Sequence, residues 1–275
     1  MTHPPGTAGR RRIRAGRAVA VAVAAGVLAV LPAAARAIVG GERATGEHPF
    51  VTAVAALRDN GEPAFRCGGS LIHEQWVLTA AHCVADGGTT LDPALLSVRV
   101  GSRDRTAGGA VAGVSEVHVH PGHAPPESRH ADLALLRLDR AVDREPVELA
   151  DTPARPGDRV RALGWGLLSR SDPAPPAALH QLDTEVIPDA ACRTGGPHDL
   201  TEGDLCVSPD PADGTCYGDS GAPVLRHADG RRQLTAVVSR DLAPRGTSEE
   251  CGVHHGVHVS VPHHARWIAG VLHAG

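Results

Sequence analysis

The 275-residue chain contains no lysine: its 27 basic residues are all arginine, against 31 acids, for a net charge of −4. The arginines are scattered, and with a negative total they give no electrostatic footprint for nucleic acid or anionic lipid. Aromatic residues make up only 2% of the chain, so Val, Leu and Ala must fill any core. None of the six cysteines forms a Cys-x-x-Cys pair, which argues against a zinc site. Nowhere do about twenty apolar residues run together, the length that a membrane-crossing helix needs. Before the C-terminus, no segment keeps a helical period of apolar residues.

The first 37 residues differ from the rest. Arg10, Arg11, Arg12, Arg14 and Arg17 form a basic head, Ala18–Leu31 is an apolar run of about fourteen residues, and Pro32 ends it. This is the form of a signal peptide over residues 1–37, with Ala35-Arg36-Ala37 as the small-x-small cleavage site. A membrane anchor would need a longer run. The adjacent arginines leave a twin-arginine route open beside the general one. Removal takes away six of the 27 arginines and none of the 31 acids, leaving a net charge of −10. The expected mature chain is acidic, soluble and extracellular, and in that compartment six cysteines favour disulfides. Spacing alone does not choose among the possible pairings.

From Ile38 onward, short apolar or alternating stretches follow one another: Val51–Leu57, Gly69–Ile72, Trp76–Ala80, Leu95–Val100, Val114–Val119 and Leu133–Leu138. Gly, Pro and polar clusters separate them, which predicts an all-β, closed antiparallel architecture. Pro262–Leu272 reads as a terminal helix with Val261, Ala265, Ile268, Ala269 and Leu272 facing inward. The polar, Pro-rich Asp151–Asp158 divides the strand-rich chain into two halves, as a linker or as a long surface loop. Ser169–Pro176 reads as an exposed loop, and no internal repeat is visible.

Three short stretches carry chemistry. In Gly218-Asp219-Ser220-Gly221 a serine sits on a glycine-flanked turn, where a hydroxyl can act as nucleophile and nearby amides can hold an oxyanion. In Thr79-Ala80-Ala81-His82-Cys83 a histidine ends an apolar strand. In His130-Ala131-Asp132-Leu133 an acid heads another apolar strand. Poorly hydrated there, it needs a donor, and an imidazole N–H suits. The chain order His, Asp, Ser is one of those by which such a triad is built. The start Ile38-Val39-Gly40-Gly41 is unusually apolar for a surface terminus, and a buried ammonium there would need a carboxylate.

Together these residues resemble the trypsin/chymotrypsin-type secreted serine endopeptidases. The resemblance also rests on Cys67-Gly68-Gly69-Ser70-Leu71-Ile72, Asp132–Leu136, Gly164-Trp165-Gly166, Gly218–Pro223 and Ser239. It implies two six-stranded antiparallel β-barrels, about 38–150 and 151–261, and a helix over about 262–273, with the site in the cleft between the barrels. It implies peptide-bond hydrolysis with Ser220 as nucleophile, His82 as base and Asp132 as its orienting carboxylate. It further implies an oxyanion hole from the Gly218 and Ser220 amides, pairing of an Ile38 ammonium with Asp219, and Ser239 beside Asp132. The implied disulfides are Cys67–Cys83, Cys192–Cys206 and Cys216–Cys251. Protein or peptide substrates, a monomer, no cofactor or metal, and no stable membrane association after signal removal complete the expectation.

The sequence departs from that family at the specificity pocket. Gly214 stands where arginine- and lysine-directed members carry an aspartate, and Asp213 is one place off. Arg240-Asp241 follows Ser239 in place of Trp-Gly, while Gly256 keeps the small far wall. Asp241 would either offer a carboxylate to a basic side chain or obstruct the pocket; an apolar or mixed preference is expected over strict tryptic cleavage. Ala222 replaces a common glycine, and Ser102 stands where calcium-binding members carry an acid, so no structural calcium is expected. The pairs His254-His255 and His263-His264 read as solvated loop residues. The rival reading is a protease-like binding scaffold without activity. An esterase is disfavoured, because the Gly-x-Ser-x-Gly elbow and Ser-Asp-His order are absent.

Overall fold

The computed structural model describes residues 1–3, 38–123, 130–169, 171–193, 199–208, 214–228, 230–242 and 251–274. The unit from Ala34 to Gly275 carries the fold. The expected signal segment lies, from residue 4 to residue 37, outside the described residues, as does Asp213.

Six antiparallel strands close into a barrel: β1 (Val51–Leu57), β2 (Pro63–His73), β3 (Trp76–Thr79), β4 (Leu96–Val100), β5 (Ala110–Val119) and β6 (Ala134–Leu138). Their order around the barrel is β1-β2-β3-β6-β5-β4. In β4 buried and half-buried positions alternate, as a pleated strand with one inward face requires. All four residues of β3 are buried. Trp76, Val77 and Leu78 and the apolar residues of β6 belong to one cluster of buried side chains with Leu163, Trp165, Leu225, Leu234 and Val237 from the second half. With so few aromatics, leucine and valine fill this core, each worth about 1.5–3 kcal/mol when removed from water.

The second half contains β7 (Arg159–Gly164), β8 (His180–Glu185), β9 (Asp204–Val207), β10 (Pro223–Ala228), β11 (Arg231–Asp241) and β12 (Gly256–Ser260), in the order β8-β7-β10-β11-β12-β9. Its two ends meet through an antiparallel bridge between Val186 and Val207. The amides of Ile187 and Ser208 donate to Cys206 and Glu185 beside it, both at 2.9 Å. Around this ring the order is that of the first barrel, so the two halves share a topology that no residue repeat announces. Two short strands that precede Asp151 also join this sheet. Glu42–Arg43 pairs with β8, and Glu148–Leu149 runs parallel to β11.

The C-terminal helix α1 spans Ala265–Ala274 and is preceded by a 3₁₀ turn, Pro262–His264. Its inward face corrects the sequence reading. Val261 and Ile268 are buried and Leu272 half-buried, but Ala265 and Ala269 are exposed, and His264, Trp267 and Val271 turn inward instead. The 3₁₀ turn is the reason: three residues per turn bring His264, not Ala265, back beneath Val261. His264 thus departs from the solvated-loop reading, whereas its neighbour His263 is exposed.

Three disulfides join Cys67 to Cys83, Cys192 to Cys206 and Cys216 to Cys251, and no cysteine is free. The first pins the turn that follows β3.

Candidate active site

His82 sits in a 3₁₀ turn, Ala81–Cys83, directly after β3. Ala80, Ala81 and Cys83 are buried around it, and the bridge to Cys67 fixes the turn's free end, so the imidazole is the one side chain that projects from it. Asp132 is fully buried. Ala131 before it holds a left-handed φ of 46°, and the amide of Leu133 donates back to the Ala131 carbonyl at 2.7 Å. That tight turn aims the carboxylate at the His82 turn just as β6 begins.

Asp132 accepts three hydrogen bonds. His82 Nδ1 lies 2.7 Å from Oδ2, the His82 amide donates to Oδ1 at 2.9 Å, and Ser239 Oγ donates to Oδ2 at 2.6 Å. A second imidazole, His123, has Nδ1 3.9 Å from Oδ1. Burial alone would push the Asp132 carboxyl up. The facing His82 and the bonds from His82 and Ser239 outweigh it and hold the group well below the usual carboxylate range. An ionised carboxylate only accepts. His82 Nδ1 must therefore carry a hydrogen, and in the neutral imidazole that leaves Nε2 with its lone pair.

Ser220 is half-buried on the turn between Asp219 and Gly221. Its carbonyl accepts from the Gly68 amide at 2.8 Å, and Gly68 follows Cys67, which is bonded to Cys83 beside His82. The serine backbone is thereby tied to the histidine turn by one hydrogen bond and one disulfide. A Cβ on Gly68 would lie 2.7 Å from Ala222 Cα, so the two segments touch backbone to backbone. Among the described residues no hydrogen bond joins the Ser220 hydroxyl to His82; catalytic bonds are commonly long without substrate and tighten with it.

The turn leaves two donors without an acceptor among the described residues. The amides of Asp219, Gly221 and Ala222 donate to Cys216, Val238 and Asp219 carbonyls, whereas those of Gly218 and Ser220 donate to nothing among the described residues. Gly218 holds φ 99°, a conformation closed to other residues. Beneath it, the wholly buried Asp219 accepts from the Gly166 amide at 2.7 Å and the Cys216 amide at 2.9 Å. A Cβ on Gly164 or Gly166 would collide with this carboxylate, which accounts for the Gly-Trp-Gly stretch. Burial pushes Asp219 up to about 7, although both amides act to lower it. Ile38 is completely buried, and the segment after it is held by the Gly214 amide, which donates to the Val39 carbonyl at 2.8 Å.

The expected pocket residues lie together. Gly214 abuts Gly252, whose Cα would be 2.7 Å from an added Cβ. Thr215 Oγ1 donates to Asp241 Oδ1 at 3.2 Å, and Asp241 is paired across the sheet with Gly256. Sequence reasoning missed what Arg240 does. Its side chain is buried, with Nη2 2.7 Å from Asp204 Oδ2 and 2.8 Å from the Asp199 carbonyl. The only hint was a charged residue ending the apolar run Leu234–Val238. Cys67, His82 and Cys83 also cluster closely enough to suggest a metal, but both cysteines are committed to a disulfide.

Known proteins resemble this chain in sequence and fold. Human Kallikrein-14 is 32% identical over 225 residues, covering 78% of this chain and 77% of its own length. A venom plasminogen activator of Agkistrodon piscivorus leucostoma is 28% identical over 218 residues, covering 76% and 78%. Among solved structures, neuropsin, a serine protease expressed in the limbic system of mouse brain, matches with a TM-score of 0.70 and 26% identity over 84% of this chain and 98% of its own. The family model for trypsin matches residues 38–268: the chain belongs to the trypsin family and is a serine endopeptidase.

Proposed function

We propose that the protein is a secreted endopeptidase that cuts peptide bonds through Ser220, His82 and Asp132 by way of an acyl-enzyme. Ser220 Oγ attacks the scissile carbonyl carbon while His82 Nε2 takes its proton. The new oxyanion lies against the Gly218 and Ser220 amides, and His82 returns the proton to the leaving amine as the C–N bond breaks. Water then repeats the sequence to release the acid. Asp132 holds the imidazole in the tautomer that exposes Nε2. The observation that carries this reading is the 2.7 Å contact between His82 Nδ1 and a fully buried carboxylate.

Residues 1–37 act as the export signal in this proposal, and the Ile38 ammonium freed by its removal pairs with Asp219. Among the described residues, no helix is long and apolar enough to cross a membrane. Substrates are proteins or peptides, taken by a monomer. Gly214, Ser239, Asp241 and Gly256 line its pocket in this proposal, and Gly214 in the place of an aspartate favours an apolar or mixed side chain before the cut. A peptide library varied at that position measures this preference.

Labelling with a fluorophosphonate tests the catalytic reading, because only an activated serine reacts. Labelling of the wild type and its loss in Ser220→Ala and His82→Ala are expected. A folded wild-type protein that is not labelled would instead be a binding scaffold.

A further inference from the structure

Arg240 is a charged residue where burial is expensive, and its surroundings suggest a use. Its guanidinium is 4% exposed and Asp204, its ion-pair partner, 1%. A buried pair of this kind gains about as much as it loses in desolvation, so fold stability is a poor reason for it. On the side away from Asp204, Arg240 Nη1 lies 3.4 Å from Ser239 Oγ. A guanidinium has only donors, so Ser239 Oγ must accept this hydrogen, and its own hydrogen goes to Asp132 Oδ2 at 2.6 Å. The result is a continuous polar chain: Asp204, Arg240, Ser239, Asp132, His82.

We propose that Arg240 is a positioning residue for the hydrolytic site, fixing the Ser239 hydroxyl on Asp132 and setting, through its buried charge, the pH at which His82 stops acting as base. The inference rests on the catalytic reading above and adds Arg240 and Asp204 to it. Among the described residues, the charged or titratable groups around Asp132 are His82, His123 at 3.9 Å and, through Ser239, Arg240. Around Arg240 stand, among the described residues, Asp204, Asp199, whose backbone carbonyl it bonds, and His258. Burial, with a smaller contribution from Arg240, lowers His258 to about 4, so His258 is neutral over the assay range. Along the hydrogen-bonded chain itself, Arg240 and Asp204 are charges of opposite sign, with Arg240 the nearer to Asp132.

A nearby cation opposes protonation of an imidazole and a nearby anion favours it. Arg240→Met should therefore move the acid limb of kcat/KM up by about half a unit to one unit, and Asp204→Asn should move it down by about half a unit. Arg240→Lys, which keeps the charge, should leave the limb near its wild-type place. A purely structural role would lower activity in both variants without driving the limbs in opposite directions. The measurement is kcat/KM against pH for the processed protein, normalised to the fraction labelled by fluorophosphonate. If Arg240→Met fails to fold, Asp204→Asn and Arg240→Lys decide: a downward shift in the first with none in the second supports the proposal. Limbs that coincide with wild type, or that move the same way, overturn it. Absence of labelling in the wild type would overturn the catalytic reading itself, which is a different result.

Discussion

The amide of Gly68 donates to the carbonyl of Ser220 across 2.8 Å, joining a strand of the first barrel to the turn that carries the proposed nucleophile. The approach is possible because Gly68 lacks a Cβ. An added methyl would meet Ala222 Cα at 2.7 Å and Ala222 Cβ at 2.8 Å, and a backbone atom cannot swing aside. Gly68→Ala should cost about 1–3 kcal/mol of stability by overpacking and lower kcat/KM at least about tenfold by shifting Ser220. The double variant Gly68→Ala/Ala222→Gly removes one of the two collisions and should recover part of the loss. Kinetics and urea midpoints of the two variants check this.

Asp132 makes a separable contribution. Asp132→Asn can donate to His82 Nδ1 and so favour the wrong tautomer, for which a loss on the order of 10⁴ in kcat is expected. Ser239→Ala removes one of three bonds to the carboxylate and should cost far less, about tenfold. The stability sign follows from the same contacts. The folded carboxyl lies below its ordinary value, so its stabilisation is complete above about pH 4 and is lost as pH falls further through the folded value. Asp132→Asn should flatten that acid loss in a urea midpoint series between pH 2 and 6.

Much of this arrangement was legible because local patterns and local chemistry agree. Leu96–Val100 alternates as a half-buried strand must, and an aspartate heading an apolar strand at Asp132 demanded a donor that His82 supplies. Other parts lay beyond any local signal. The 3₁₀ turn at Pro262–His264 slipped the helix face by one residue, a change of pitch that apolar spacing does not encode. Two-residue strands such as Glu42–Arg43 have no period to detect. The repeat of strand order between halves resides in hydrogen-bond connectivity and not in residue identity. Arg240 looked like a substituted pocket residue, because its partner Asp204 is 36 positions away and only the folded chain brings them together.

Ala131 offers a test of stored strain. It is buried and holds φ 46°, in the left-handed region that costs a non-glycine residue about 1–2 kcal/mol. Ala131→Gly removes the steric cost and adds unfolded-chain entropy of roughly 0.5–1 kcal/mol. The net expectation is a stability equal to or up to about 1 kcal/mol above wild type. Ala131→Val, which cannot adopt this backbone easily, should lose stability and activity together. Thermal melts of the two variants decide; Gly destabilising as much as Val would contradict the assigned strain.

The last prediction joins Asp219 to the chain start. Ile38, a β-branched residue, is held at φ 59° while still joined to Ala37, a conformation such residues take only under strain. Cutting that bond abolishes the torsion and creates an ammonium in the segment anchored beside Gly214. Because Ala35-Arg36-Ala37 has the form of an export cleavage site, secretion should yield the proposed active terminus directly, and N-terminal sequencing should read Ile38-Val39-Gly40. In the uncut chain Asp219 is buried without that cation, and burial raises it to about 7. The sign is the reverse of Asp132. The folded precursor binds a proton that the unfolded chain releases, so stability is greatest below about pH 4 and is lost as pH rises towards 7, by roughly 3–4 kcal/mol. Asp219→Asn should remove this slope from the precursor, measured as urea midpoints in a Ser220→Ala background, and should inactivate the processed enzyme. A processed chain beginning elsewhere than Ile38, or a precursor whose pH slope survives Asp219→Asn, would show that this carboxylate does not await the new terminus.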